Sequence, residues 1–490
     1  MRTKKARNFF LALLFLGAVP IEAQQNIVVP ESYVERAQSK GPVLDVSLRD
    51  VIQLALTNNL EIAIEDFNED LYRERILSTR GFYDPVLRFQ FGWNSSELPS
   101  TSLLDAGIGN VTRIYKTWTG STGLHQNVPG GGTIGFNFNN NRFATNSTFS
   151  TINPRFGSNL EFIFTQPLLK GFRETPTNRQ LKFYNLDTQI SDSQFKQRVS
   201  EIVQQVENQY WELVFAIENH ETRRQSMQLA ITQHENNQKR VHIGVTAPIE
   251  ITSSRAEVAN REQDMIQSEV QIINAQNALK RMLSSDLKSS LWNLNLIPAD
   301  RPKMGKIQVT MQKAIEVALH NRPELEQIKL QLEKNEVDRS YYKKEGKPQI
   351  DFTLGFTSSG TSGDVYTAQL FQGTPTPAPN SPFSGNLAKS WDQSFGFDFT
   401  TYAVGINVEI PLRNRSNEGV LARVAITGRQ LLSRLKNQQQ TIVVDVRNSY
   451  EVIETQTKRL EAARLARQLS TEQLNAEDKR FQAGLSTNFE

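Results

Sequence analysis

The chain repeats itself, and that duplication restricts its fold more than any other feature. Ser47-Leu48-x-x-Val51-Ile52-x-Leu54-Ala55-Leu56-x-Asn58-Asn59-x-Glu61-Ile62 recurs 263 residues later as Thr310-Met311-x-x-Ala314-Ile315-x-Val317-Ala318-Leu319-x-Asn321-Arg322-x-Glu324-Leu325. The same offset carries Pro85-x-Leu87-x-Phe89 and Gly92 onto Pro348-x-Ile350-x-Phe352 and Gly355. Farther on, Gln166-Pro167-Leu168 faces Ile410-Pro411-Leu412 and Asn208-x-Tyr210 faces Asn448-x-Tyr450. Lys239-Arg240-x-x-x-Gly244 faces Lys479-Arg480-x-x-x-Gly484, by which point the offset is 240. Ordered landmarks of this kind mark one structural unit used twice, and the second copy is shorter because its strand region is briefer.

Each copy has one plan. Ser47 and Thr310 are good N-caps, followed by apolar positions three and four apart, which predicts a capped helix. A proline ends the helical stretch and strands follow. A Pro-Leu junction then leads into a long helix, which a glycine-containing turn reverses. The expected organisation is a leader over 1–23, a first repeat over 24–300 and a second over 301–490.

The strands alternate. Leu87, Phe89, Phe91 and Trp93 interleave with Arg88, Gln90 and Gly92; Ile134, Phe136 and Phe138 with Gly135, Asn137 and Asn139; and Leu160, Phe162 and Phe164 precede Pro167 in the same way. In the second copy Ile350, Phe352, Leu354 and Phe356 alternate with Asp351, Thr353 and Gly355. Tyr402, Val404, Ile406, Val408 and Ile410 alternate with Ala403, Gly405, Asn407 and Glu409. Period two gives each strand one apolar, aromatic face and one small or polar face. A transmembrane barrel with a wet lumen has this pattern, and so does a soluble sandwich whose apolar faces meet. Pro129-Gly130-Gly131-Gly132 and the proline-rich stretch from Thr374 to Pro382 belong in turns or surface loops. The glycine run lacks the Gly-Lys-Ser/Thr ending of a phosphate-binding loop.

The helical runs exceed what a compact globule needs. Residues 178–243, 249–297 and 429–483 contain neither glycine nor proline, and the first alone would reach roughly 100 Å as one helix. Ile202, Val203, Val206, Tyr210, Leu213, Val214 and Ile217 form a narrow apolar seam on an otherwise polar rod. That suits a coiled coil, and equally the wall of a water-filled helical tube. The long helices favour the barrel over the sandwich for the strands beside them.

The first residues predict export: Arg2, Lys4, Lys5 and Arg7 precede an apolar run from Phe9 to Val19, with cleavage after Ala23 despite the large Ile21 at the −3 position. Loss of 1–23 removes four basic residues and one acidic residue from totals of 55 and 52, leaving the charges balanced. No basic stripe argues for nucleic acid. With a mean hydropathy of −0.46 and no later run of about 18 apolar residues, any membrane crossing must use strands.

Several chemistries are excluded. The chain has no cysteine, hence no disulfide, thiolate metal site or lipobox lipid anchor. His125, His220, His234, His242 and His320 include no pair at the spacing that chelates on one helix face, and each reads as a solvated or interhelical side chain. Neither Gly-x-Ser-x-Gly nor His-Glu-x-x-His occurs, so neither an enzyme nor a cofactor is expected. Asn94, Asn110 and Asn146 begin Asn-x-Ser/Thr triplets that a bacterial envelope protein would not normally use.

Taken together, the helix openings at 47–62 and 310–325, the junctions Gln166-Pro167-Leu168 and Ile410-Pro411-Leu412, and the tips Arg240-Val241-x-x-Gly244-Val245-Thr246 and Arg480-Phe481-x-x-Gly484-Leu485-Ser486 resemble the TolC-like outer-membrane efflux protein family. The likeness covers nearly all of the chain after the leader. It implies a membrane α+β fold: an internally duplicated chain whose β-barrel strands join long antiparallel coiled helices that form a periplasmic tunnel. It further implies a homotrimer, four strands per protomer in a shared twelve-stranded barrel, in the outer membrane of a Gram-negative bacterium. The expected function is an outer-membrane channel of a tripartite efflux or type I secretion system, exporting small molecules or proteins passively and driven by an inner-membrane pump.

By the same resemblance Gly244, Val245, Thr246, Gly484, Leu485 and Ser486 would contact a periplasmic adaptor. Glu490 would belong to a carboxylate ring at the closed aperture. The glycines would serve equally as plain helix-reversing residues, and Glu490 as a solvated helix side chain. The rival function is a secreted or periplasmic coiled-coil interaction protein whose strands form a soluble sandwich. The first copy continues past its tip through 251–296 as an expected returning helix, whereas the second stops six residues after Gly484, which predicts a truncated chain or an incomplete gene model. Six methionines and five histidines give no sign of the substrate.

Overall fold

The computed structural model describes residues 31–101, 112–147, 149–302, 309–367 and 376–483. The leader at 1–23 and the second tip from Gly484 to Glu490 lie outside them. In chain order the first elements are α1 (Tyr33–Lys40), β1 (Val43–Val46), α2 (Leu48–Asn58), α3 (Leu60–Arg80), β2 (Val86–Pro99) and β3 (Thr112–Asn127). β4 (Thr133–Thr145), β5 (Ile152–Pro167), α4 (Pro176–His242), α5 (Ile249–Leu283) and β6 (Asn295–Pro298) follow. The later elements are α6 (Met311–Asn321), α7 (Pro323–Glu345), β7 (Gln349–Thr367), β8 (Thr376–Pro377), α8 (Leu387–Phe395), β9 (Phe399–Glu409) and α9 (Arg415–Gln482). They divide into two compact units, one drawn from Met1–Leu60 and Glu201–Met304, the other from Glu61–Ser200 and Gly305–Glu490.

The equivalent helices of the two copies start and stop alike. The Ser47 hydroxyl accepts from the Asp50 amide at 3.2 Å while the Asp50 carboxylate accepts from the Ser47 amide, closing a capping box over α2. Thr310 accepts from the Lys313 amide at 3.4 Å over α6. Each such cap satisfies an orphan amide and contributes about 1 kcal/mol. Both helices end on an extended residue, Asn59 and Arg322, whose amide still donates four residues back, to Ala55 and Ala318. A second helix, α3 or α7, starts at once.

In the first unit the apolar seam of α4 is the core. Ile202, Val206, Tyr210 and Leu213 are buried, as are Ile272 and Leu279 of α5, and each large apolar side chain contributes about 1.5–3 kcal/mol on burial. The Tyr210 hydroxyl donates to the Val46 carbonyl at 3.2 Å and lies 3.2 Å from Asp300. Asp300 in turn accepts the Leu48 amide at 2.7 Å, fastening the start of α2. β1 and β6 pair in parallel beside this network. The glycine- and proline-free run 249–297 is not one returning helix of nearly 50 residues: α5 stops at Leu283. Past it, the Ser284 hydroxyl and the Trp292 indole both donate to the Asp286 carbonyl, so side chains take over the backbone groups a helix would need.

The second unit is built on one antiparallel sheet, ordered β2-β3-β4-β5-β7, with β9 paired to β7 and the two-residue β8 at the end of β7. Gly131, at φ +90°, reverses the chain between β3 and β4, as the glycine run predicts. Six long strands, not four, share this sheet among the described residues. In the second copy β7 and β9 are neighbours, whereas their first-copy counterparts β2 and β5 are held apart by the β3–β4 hairpin. Beyond the sheet, Leu186 and Ile190 of α4 pack on Leu330 of α7. Lys334 to Asp187 at 2.6 Å flanks that contact. α9 passes close to α7 at Gly428, where a Cβ would meet the Asn335 amide oxygen at 2.6 Å, and Asn335 donates to the Val424 carbonyl.

Candidate functional site

The register of the sheet sorts its side chains into complete rows. Leu87, Leu124, Phe136, Phe162, Phe356 and Tyr402 are successive partners across all six strands. The next row is Arg88, Gly123, Asn137, Glu161, Thr357 and Thr401. Because the side-chain period is two, the first row lies on one face and the second on the other. Phe89, Phe91 and Trp93 extend the apolar face on β2, and Val404, Ile406 and Val408 extend it on β9. Phe89 and Tyr402 are each 72% exposed. The opposite face carries Ser121, Asn139, Asn159, Thr353, Gly355 and Asn407 at the corresponding positions. Such an arrangement separates an apolar medium from water across one layer of backbone.

One part of the apolar face is roofed. Toward the ends of β5 and β7 remote from Pro167 and Gln349, the row positions become Ser158, Ser358, Gly360 and Ser362. α8 lies on them. The Ser158, Ser358 and Ser362 hydroxyls donate to the carbonyls of Ser390, Ser394 and Asn386 at 2.6–2.7 Å. Trp391 donates to Asn140 at 2.6 Å, and its ring and that of Phe395 pack edge-on and tilted against Phe138. Ser390, Gln393 and Ser394 are buried beneath the helix, while Trp391, Phe395 and Phe397, at its margin, stay partly exposed. A Cβ at Gly360 would run into the Ser390 carbonyl, so glycine is what lets the helix approach.

The first helix tip is a complete Schellman motif. The Val245 amide donates to the Arg240 carbonyl and the Gly244 amide to the Val241 carbonyl, both at 3.0 Å. Gly244 sits at φ +77° in the left-handed region. Ile243, Val245 and Ile249 project into solvent around it, and Thr246 is half-buried. Gly244, Val245 and Thr246 thus come together at an exposed tip. Gly484, Leu485, Ser486 and Glu490 fall outside the described residues.

His220 and His234 are interhelical. His220 is fully buried, with Nδ1 2.8 Å from the Ser268 hydroxyl; His234 Nδ1 lies 2.8 Å from the Ser254 hydroxyl. Burial pushes His220 below the ordinary histidine range, with Glu269 opposing and Arg36 reinforcing the shift.

Sequence reasoning missed β3 and α8. On β3 the apolar face carries Thr122 and Gly120 between Leu124 and Trp118, which breaks the alternation. Its density of Thr, Tyr and Trp was the available signal. α8 follows a proline-rich stretch and presents a small polar face to the sheet, so neither helix periodicity nor apolar content announced it.

Residues 314–490 match the family model described as outer membrane efflux protein. No curated protein matches the sequence. A membrane protein from Pseudomonas aeruginosa has a similar fold, with a TM-score of 0.61 at 15% identity over 92% of this chain and 87% of its own. The Campylobacter jejuni CmeC outer membrane channel gives 0.58 at 12% identity over 99% and 86%. The outer membrane protein VceC of Vibrio cholerae gives 0.57 at 13% identity over 90% and 87%. The chain has the TolC-like α+β fold of strands joined to long helices.

Proposed function

We propose that this chain, TolC-like in fold and matching outer membrane efflux proteins over 314–490, is an outer-membrane efflux channel that works as a passive conduit. The observation that carries this reading is the unbroken apolar row from Leu87 to Tyr402 backed by a polar row from Arg88 to Thr401. Hydrocarbon tolerates such a sheet only when its backbone is fully paired, and one copy leaves β2 and β9 with a single neighbour each among the described residues. Copies must therefore join edge to edge, and a homotrimer is the assembly this reading adopts. The polar face then lines the bore, with Asn, Ser, Thr and Gly outnumbering charges, which suits passage with weak ion selectivity.

No helix among the described residues is long and apolar enough to cross a membrane, which leaves the crossing to the strands. The helices continue the conduit into the periplasm, and the tip at Gly244, Val245 and Thr246 meets a periplasmic adaptor and its inner-membrane pump, as would its counterpart at Gly484, Leu485 and Ser486, with Glu490 at the aperture. The chain supplies a path and the pump supplies the energy. A soluble sandwich needs a second sheet against the apolar face; among the described residues only α8 lies there.

The test is extraction from outer-membrane fractions, sizing in detergent and planar-bilayer recording. A detergent-dependent trimer with single-channel conductance is expected. A monodisperse monomer that stays soluble without detergent and does not conduct would overturn the proposal.

A further inference from the structure

We infer that β9 of one copy pairs antiparallel with β2 of the next in the register that β5 and β7 use inside the chain, so that three copies close an eighteen-stranded wall. The inference rests on the homotrimeric channel reading and specifies how its wall is joined.

The internal duplication provides the template. β5 ends the strand region of the first copy and β7 begins that of the second, and they meet within one chain. β9 ends the second copy and β2 begins the first, and among the described residues neither has an outer partner. Equivalent elements should meet equivalently. Pro167 corresponds to Pro411, and Pro348 to Pro85. The observed partners Thr165–Thr353, Phe164–Leu354 and Phe162–Phe356 then translate to Glu409–Gln90, Val408–Phe91 and Ile406–Trp93 between copies.

Two independent features fit. The translated pairs join apolar to apolar and polar to polar, whereas a slip of one residue would set the Phe91 face against the Glu409 face. The helices agree as well. The buried contact of Leu186 with Leu330 translates to Ile426 on α9 and Phe67 on α3, which are 49% and 62% exposed in the single chain. Leu60, Ile64, Phe67 and Leu71 form an exposed stripe at spacings of four and three, the pattern of a helix that lacks its coiled-coil neighbour.

The strand count follows from the inserted hairpin. β3 and β4 pair along all but their last two residues with β2 and β5 and continue both the apolar and the polar rows, so they belong in the wall. Barrel diameter grows roughly linearly with strand number, so eighteen strands give a bore about 1.5 times as wide as twelve.

The chain has no cysteine, which makes the register directly testable. In the full-length trimer, Gln90→Cys with Glu409→Cys should give covalent trimers on oxidation, and Gln90→Cys with Ala403→Cys, about 20 Å farther along the strand, should not. Gln90→Cys with Glu161→Cys should stay unlinked, because two intervening strands and a two-residue offset in register put these positions about 16 Å apart. In a four-strand protomer they would be direct partners, as Thr353 and Gly405 are in the second copy.

A conducting trimer in which Gln90→Cys and Glu409→Cys fail to link, or in which Gln90→Cys links to Glu161→Cys within one chain, would overturn the inference and leave the channel reading standing. Absence of any oligomer would remove both. Should a cysteine variant not assemble, electron microscopy of the unmodified trimer counts the strands: eighteen supports the inference and twelve ends it.

Discussion

At the residue scale, two positions separate structural from functional demands. Gly244 is exposed and a Cβ there would touch nothing within 4 Å, so its only constraint is the left-handed backbone. Gly244→Ala should therefore cost about 1 kcal/mol with the fold intact, read as a small drop in melting midpoint. Val245 makes no such structural demand: Val245→Asp should leave the midpoint nearly unchanged and abolish efflux in cells, and undiminished efflux would remove the tip from the docking surface. His220 gives a pH dependence. The Tyr33 ring edge, Arg36, Glu269 and Ser268 surround it, with Glu221 adjacent on its own helix, and burial is the largest influence, so its folded-state pKa lies below 6.5. The unfolded chain then binds the extra proton first, so stability is full above about pH 6.5 and falls on acidification below it. His220→Gln should flatten that slope in melting curves taken between pH 8 and pH 5; an unchanged slope would assign it to other groups.

At the element scale, the sheet and α8 are coupled through one missing side chain. Gly360→Ala should push α8 off the sheet, seen as faster amide hydrogen exchange over 387–395. Gly355→Ala, whose new methyl would meet the Ala403 Cβ at an ordinary 3.5 Å, should leave that exchange unchanged. The long helices and the most regular strands were legible because glycine-free runs and period-two alternation depend on nearest neighbours. α4 follows its glycine- and proline-free run to within a few residues. β3 was not legible, since Thr122 stands between Phe89 and Phe138 and Gly120 opposite Phe91, and a strand with one weak face is identified only by its partners. The end of α5 was hidden for a related reason: nothing near Ser284 forbids a helix until Asp286 collects the competing hydrogen bonds. The tip was legible as a turn; the contact role proposed for it concerns a second molecule and leaves no trace in local sequence.

At the scale of the whole molecule, apolar side chains stand exposed along whole helices. Along α9, Val452, Ile453, Leu460, Leu465, Leu469 and Leu474 all remain accessible in the single chain, as does the stripe on α3. Burying one such side chain contributes about 1.5–3 kcal/mol, so assembly should contribute much of the total stability. Dilution of the detergent-solubilised protein should lower the melting midpoint along with the trimer fraction; a midpoint independent of concentration would mean the single chain already holds its own core.

The β3–β4 hairpin gives this kind of wall a rule of growth. Strands in one copy alternate in direction, so the last can join the first of the next copy antiparallel only when each copy carries an even number. A single added strand would force two parallel edges together and break every junction at once. A hairpin preserves parity at all junctions. The girth of such a pore can therefore change only in steps of two strands per copy, six per trimer, which makes bore size a quantised property that one insertion can shift without touching the rest of the chain.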